Sequence, residues 1–300
     1  MGTSLESLSS ELVAAVESAG PSVVRVEGRR RIASSGVVWS AEGVIVASHH
    51  AVDVEEDVPV GLHDGRTVTA RVVGRDPGSD LALLRADASG LVPPRWGDAA
   101  AAKPGRVVLG LSRPGRSIRA RLAIVSAVAG EWRTPAGGRL ERYLESDIAL
   151  HPGFSGGLLL GADATALGVN TAGLVRGASI AVAVETVRRV AEALLAHGRM
   201  RRGYLGIGTQ PVALAPDLRT RVGQSTALIV LSVQPDSPAA KAGLLLGDVL
   251  LRAGEEPLTH PAALLPALDA ERVGRELRLQ VLRAGETREV AVVVGEREAA

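Results

Sequence analysis

The 300-residue chain has no cysteine, which excludes disulfides, zinc ribbons and thiol catalysis together. That leaves the compartment open, because an oxidising compartment permits disulfides without requiring them. Aromatic residues make up 2% of the chain, with one phenylalanine, so the core must be filled by many small Val, Leu, Ala and Ile side chains. Charge of one sign is not in surplus: 34 basic and 33 acidic residues give a net charge of +1. That balance gives no reason to expect nucleic acid or an anionic membrane as the main partner. No stretch approaches the ~20 apolar residues needed to span a bilayer, and the N-terminal segment has no basic-then-apolar leader. As given, the chain reads as unexported and cytoplasmic; a trimmed periplasmic or extracytoplasmic protein would look the same. No phosphate loop and no metal-ligand spacing such as H-x-x-x-H occurs, so neither cofactor nor metal is expected.

What is present is an ordinary globular balance, 46% hydrophobic and 22% charged, in a length that suits two domains and a linker. Thirty-five Gly and sixteen Pro point to many turns. Leu8, Leu12, Val13 and Val16 fall at helical spacing within 8–18, and Gly20-Pro21 stops that helix. From Val23 to about Val184 the pattern changes to short apolar stretches such as VVRV, GVIVAS, LALLRA and GLLLG, separated by Gly, Pro, Asp or Ser. This is the pattern of an all-β sandwich or barrel. A helix follows over 184–197, with Val184, Val187, Val190, Ala191, Leu194 and Leu195 on one face and Gly198 as its stop. These features divide the chain into a first domain over 1–198, a basic linker over 199–203 and a second domain over 204–295.

Three segments of the first domain carry chemistry. In VIVASHHAVD (44–53) a β run ends in paired histidines; in RDPGSDLALLRAD (75–87) Asp80 follows a Pro-Gly turn; in ESDIALHPGFSGGLLL (145–160) Ser155 sits in a Gly-rich turn. A serine hydroxyl is a poor nucleophile until an imidazole takes its proton, and a buried carboxylate must hold that imidazole in one tautomer. The resulting oxyanion needs convergent backbone N–H groups, which a glycine turn can aim, and Gly153-Phe154-Ser155 offers such a turn. His49, Asp53, Asp76 and Asp147 read as structural or turn residues.

Together these segments resemble the HtrA (Deg) family of trypsin-like serine proteases. The resemblance runs through A-S-H-H-A-V-D (47–53), D-P-G-S-D-L-A-L (76–83) and D-I-A-L-H-P-G-F-S-G-G (147–157) and extends over roughly residues 10 to 295. It implies a mainly β fold, a double six-stranded β-barrel of the chymotrypsin type followed by a smaller α+β PDZ domain. It also implies His50 as base, Asp80 as orienting carboxylate and Ser155 as nucleophile, with Gly153, Phe154 and Ser155 forming the oxyanion hole. Leu150 resembles a wall of the specificity pocket, and Asn170, Thr171 and Ala172 resemble the strand that pairs with substrate. The chain departs from the family at Phe154, where Asn is usual, and at Leu158, where Pro is usual. The regulatory loop near 28–35 is short, and the aromatic residues that seal a trimer near the N-terminus are missing.

In the second domain, RGYLGIGTQPV (202–212) places an apolar-Gly-apolar turn before a strand. Successive N–H groups of Tyr204, Leu205, Gly206 and Ile207 could hold a peptide's terminal carboxylate, with the strand edge free to pair with the peptide. Ser237-Pro238 starts a short helix, Gly247-Asp248 shapes a turn, and a helix over 261–270 forms the groove's other wall. The resemblance implies an ATP-independent endopeptidase acting on unfolded or damaged polypeptides, binding C-terminal peptides in its PDZ groove and assembling as a homotrimer. The competing expectation is a catalytically silent peptide-binding or chaperone-like protein that keeps the fold.

Overall fold

Short Val- and Leu-rich stretches fold as strands because branched side chains suit a pleated, half-buried surface. In the computed structural model, which describes residues 4–29 and 32–296, they form two units that divide between Met200 and Arg201. The first unit opens with helix α1 (Ser4–Ala19). A closed barrel follows, built from β1 (Val23–Val26), β2 (Ser34–Val38), β3 (Val44–Ser48), β4 (Val58–Gly61), β5 (Thr67–Asp76) and β6 (Leu81–Ala86) in the order β1-β2-β3-β6-β5-β4. Next come β7 (Val107–Ser112), β8 (Arg119–Ala129), a small hairpin of β9 (Trp132–Arg133) and β10 (Arg139–Leu140), then β11 (Tyr143–Ser146), β12 (Leu158–Gly161), β13 (Ala166–Thr171) and β14 (Ser179–Ala183). The six longer strands of this set close a second barrel in the order β11-β14-β13-β12-β7-β8, and helix α2 (Val184–His197) ends the unit.

The apolar runs are continuous because these strands are buried on both faces. Val24, Val26, Ile45, Ala47 and Leu84 fill the first barrel, and Val108, Val125, Leu144, Leu159 and Leu167 fill the second. Their alternate neighbours Val23, Val46, Leu81, Leu83, Leu111, Leu158 and Val169 meet in one cluster between the barrels. Each fully buried Val or Leu contributes about 1.5–3 kcal/mol relative to exposure, which offsets the shortage of aromatics.

Both helices differ in detail from the sequence expectation. Helix α1 starts four residues earlier, and it buries Ala15 and Ala19 with Leu12 and Val16 half-buried, while Leu8 and Val13 face solvent. The buried stripe therefore runs 12-15-16-19, one helical face. Helix α2 occupies the expected span and stops at Gly198, whose φ of +70° makes the left-handed cap. Its Leu195 is exposed, because about 100° per residue carries it past the edge of the face formed by Val187, Val190, Ala191 and Leu194.

The second unit contains β15 (Gly203–Tyr204), β16 (Ile207–Ala213), α3 (Pro216–Val222), β17 (Thr226–Val233), α4 (Pro238–Lys241), β18 (Val249–Ala253), β19 (Glu256–Pro257), β20 (Glu276–Arg283), β21 (Glu286–Val293) and β22 (Gly295–Glu296). The main sheet has the order β16-β17-β18-β20-β21, so β16 lies at an edge. The Ser237 hydroxyl accepts a hydrogen bond from Ala240 N–H at 3.2 Å and caps α4. The helix expected over 261–270 is instead a 3-10 segment, Pro261–Leu268. Pro266 lies inside it and cannot donate to an α-helical ladder.

Candidate active site

Strand register brings the sequence-distant residues together. Antiparallel β3 and β6 pair Ser48 with Leu81, so the residues just past 48 and just before 81 are neighbours. A single 3-10 turn, His49–Ala51, then carries His50 to Asp80. The His50 Nδ1 and Asp80 Oδ2 atoms are 2.7 Å apart, and the backbone N–H of His50 donates to Asp80 Oδ1 at 2.9 Å. Asp80 takes a φ of +56°, a conformation that Asp tolerates better than most residues. The turn before it is braced by Ser79 Oγ donating to Asp76 Oδ2 at 2.7 Å and by Gly78 N–H donating to Asp76 Oδ1 at 3.1 Å.

Burial pushes the Asp80 carboxyl up, but the hydrogen bond and charge of His50, the Thr171 hydroxyl and the His50 N–H more than offset it. The group is held below the ordinary aspartate value and stays anionic. His49 is different: burial and the nearby Arg75 charge push its imidazole down, which disfavours its charged form. The backbone N–H of His49 donates to the Asp80 carbonyl at 2.9 Å, which makes it a structural neighbour of the pair.

Ser155 comes from the second barrel. Strands β12 and β13 pair Leu158 with Val169, and the same register continued outward sets Ser155 opposite Ala172. Ala172 N–H donates to Ser155 Oγ at 3.3 Å, and among the described residues no hydrogen bond joins that hydroxyl to the His50 ring. In the loop before it, Phe154 N–H donates to His151 O at 3.0 Å around Gly153, whose φ of +92° fits the third position of a type II turn. The N–H groups of Gly153 and Ser155 have no acceptor among the described residues, so both are free to meet an oxyanion. Phe154 does not join them, because its N–H is engaged by His151 O. Its ring is buried, 5.3 Å beneath the Arg121 guanidinium.

Of the residues expected on the substrate strand, Asn170 is engaged through its backbone and Thr171 through its hydroxyl. Asn170 donates its N–H to Gly157 O and accepts from Gly156 N–H, both at 2.8 Å, and its side chain is buried. It is therefore engaged inside the barrel and is not free to pair with a peptide. The Thr171 hydroxyl donates to Asp80 Oδ2 and accepts from Gly173 N–H at 2.9 Å, so it orients the carboxylate. Ala172 remains beside Ser155, and Leu150 lies half-buried against the second-barrel core.

Gly173 escaped the sequence reading. A Cβ there would lie 2.5 Å from His50 Nδ1 and 2.8 Å from Asp80 Oδ2, so only glycine lets the chain just past β13 cross over the pair. Its place at the end of GVNTAG (168–173) was the one available signal.

In the second unit, Leu205 and Gly206 present N–H groups with no acceptor among the described residues, while their carbonyls accept from Ala239 N–H at 2.9 Å and Gln234 N–H at 2.8 Å. Gly206 has a φ of +81°, and Ile207 opens the edge strand β16. Tyr204 is engaged, paired with Gly295 and donating its hydroxyl to Gln234.

Two closed six-stranded barrels with a His–Asp pair on one and a serine loop on the other define a trypsin-like peptidase domain, followed by a PDZ domain. The family models agree: a trypsin-like peptidase domain matches residues 34–169 and a PDZ domain matches residues 203–294. A probable periplasmic serine endoprotease of the DegP-like kind from Halomonas elongata is 32% identical over 89% of this chain. The chain spans 57% of that relative's length. The putative serine protease HhoB of a Synechocystis species is 28% identical, with 94% of this chain and 78% of that protein covered. Among solved structures, the HtrA-type protease AlgW with tripeptide superposes with a TM-score of 0.75 at 30% identity, covering 96% of this chain and 98% of that one. The serine endoprotease from Yersinia pestis gives a TM-score of 0.75 at 29% identity, covering 99% and 100%. The chain belongs to the HtrA family of serine proteases. Among the described residues no helix is long and apolar enough to cross a membrane.

Proposed function

We propose that this protein is a serine endopeptidase that cleaves unfolded polypeptides through His50, Asp80 and Ser155. The observation that carries the reading is the 2.7 Å His50–Asp80 pair facing a serine loop with two unengaged N–H groups. Asp80 holds the His50 Nδ1 proton, which leaves Nε2 to take the Ser155 proton as the hydroxyl attacks the scissile carbonyl. The N–H groups of Gly153 and Ser155 receive the oxyanion, and the protonated imidazole then returns its proton to the leaving amine. Ala172 guides the peptide, and Leu150 walls a small apolar specificity pocket. The peptidase domain runs over 1–198 and the PDZ domain over 204–295, joined by 199–203. Leu205, Gly206 and Ile207 hold the carboxylate of a C-terminal peptide laid along the β16 edge. The protein assembles as a homotrimer and works outside the cytoplasm, as the names of its periplasmic relatives suggest.

One observation favours a second reading, a silent peptide binder: the Ser155 hydroxyl rests on Ala172 N–H rather than on His50. Catalytic hydrogen bonds are often long or misaligned before substrate binds, so this geometry at rest is compatible with catalysis. Fluorophosphonate labelling followed by mass spectrometry decides between the two. Labelling at Ser155 that vanishes in His50→Ala supports the peptidase. No labelling, even with C-terminal peptide added, leaves the binder.

A further inference from the structure

The serine loop is held from outside its own barrel. Ser35, fully buried on β2 of the first barrel, donates its hydroxyl to Gly153 O at 2.7 Å and its backbone N–H to Ser155 O at 3.1 Å. The direction of that hydroxyl is forced. Arg113 N–H donates to Ser35 Oγ at 2.8 Å, so the serine's own proton is left for Gly153 O. Arg113 is fixed in turn, with its guanidinium donating to the carbonyls of Val23 at 2.6 Å, Arg116 at 2.8 Å and Gly20 at 3.0 Å.

The consequence is legible peptide by peptide. The 153–154 peptide is pinned at both ends, by Ser35 Oγ on its carbonyl and by His151 O on its N–H. The 155–156 peptide is pinned likewise, by Ser35 N–H on its carbonyl and by Asn170 O on its N–H. Among the described residues, the N–H groups of this loop left without an acceptor are those of Gly153 and Ser155, each next to a peptide that Ser35 holds. A loop with glycines at 153, 156 and 157 has little stiffness of its own, so its aim must come from such tethers. We propose that Ser35 is a positioning residue that sets the oxyanion hole, registering the loop of the second barrel against the barrel that carries His50 and Asp80. This inference rests on the peptidase reading above.

The test is Ser35→Ala in the full chain, which removes one hydroxyl and leaves the backbone tether. On a peptide that wild type cleaves, kcat is expected to fall about 10- to 100-fold, short of the 10²–10³ lost with a whole donor, while KM stays within about twofold. The affinity of a peptidyl aldehyde, whose adduct carries the oxyanion, should fall in parallel with kcat, and that of the matching peptide amide should not. Loss of folded protein would lower the active fraction without changing that affinity ratio. Amide exchange supplies a second readout: the Phe154 N–H should exchange faster in the variant than in wild type. An active wild type with unchanged kcat, aldehyde affinity and Phe154 exchange in Ser35→Ala overturns the positioning role alone. A wild type inert to both substrate and fluorophosphonate removes the peptidase reading, and the positioning role with it.

Discussion

Gly173→Ala offers a sharp test of the site because its effect is steric and local. The residue does not sit in the left-handed region, so the effect comes from the added carbon rather than from a positive φ. That carbon would stand 2.5 Å from His50 Nδ1, about 1 Å inside the ~3.5 Å at which such atoms rest. Either the imidazole is pushed off Asp80 or the 172–174 segment lifts away from Ser155. A misplacement of ~1 Å costs on the order of 10²-fold in rate, while overpacking costs about 1–3 kcal/mol of stability. Gly177→Ala is the matched control: Gly177 has a φ of +83° with nothing near its missing Cβ, so alanine there brings backbone strain and no collision. The assay is the second-order rate of fluorophosphonate labelling at Ser155, with thermal melting in parallel. Gly173→Ala is expected to label about 10²-fold more slowly, and Gly177→Ala to melt lower but label normally. A Gly173→Ala enzyme that labels at the wild-type rate would refute the placement of the 172–174 segment over the His–Asp pair.

Other expectations follow from the same contacts. Asp80 has a depressed folded-state pKa, so its ionisation stabilises the first domain above its unfolded value of ~3.9 and that stability is lost as the pH falls through the lower folded value. Urea titrations between pH 2 and 6 should show this loss in wild type and a flatter curve in Asp80→Asn. Thr171→Val removes a hydroxyl from Asp80 and should raise the pH at which acid destabilises the domain, with kcat reduced roughly tenfold, the effect of one hydrogen bond of about 1.4 kcal/mol. Gly206→Ala forces a β-carbon onto Ser237 and strains a left-handed turn. Fluorescence anisotropy should then show at least about tenfold weaker binding of a free-carboxylate peptide, with Ser155 labelling unchanged. In the second unit, Arg283→Ala leaves the buried Asp248 carboxylate without its two 2.7 Å hydrogen bonds, and hydrogen exchange across β20 and β21 should accelerate.

The sequence by itself determined the strand-rich first domain, because runs such as VIVAS and LALL between turn residues have few other ways to bury themselves. It also made His50, Asp80 and Ser155 candidates, since each stands in a segment whose composition matches its local geometry: a strand end, a Pro-Gly turn, a glycine loop. Gly198 and Ser237 were legible for the same reason, as caps act over three or four residues. What the tertiary structure decided is everything that crosses between segments. Asn170 and Thr171 look alike as neighbours in a strand, yet β13 turns the backbone of one into the barrel and the hydroxyl of the other onto Asp80, 91 residues away in sequence. Ser35 reaches Gly153 across 118 residues, and Gly173 matters only because His50 and Asp80 pass beneath it. Phe154 looked like a bulky member of the oxyanion hole until the turn closed its N–H onto His151 and buried its ring under Arg121. Local chemistry reads along the chain because backbone preference acts over a few residues; the aim of a hydroxyl or an N–H depends on partners that only closure of the two barrels brings within 3 Å of one another.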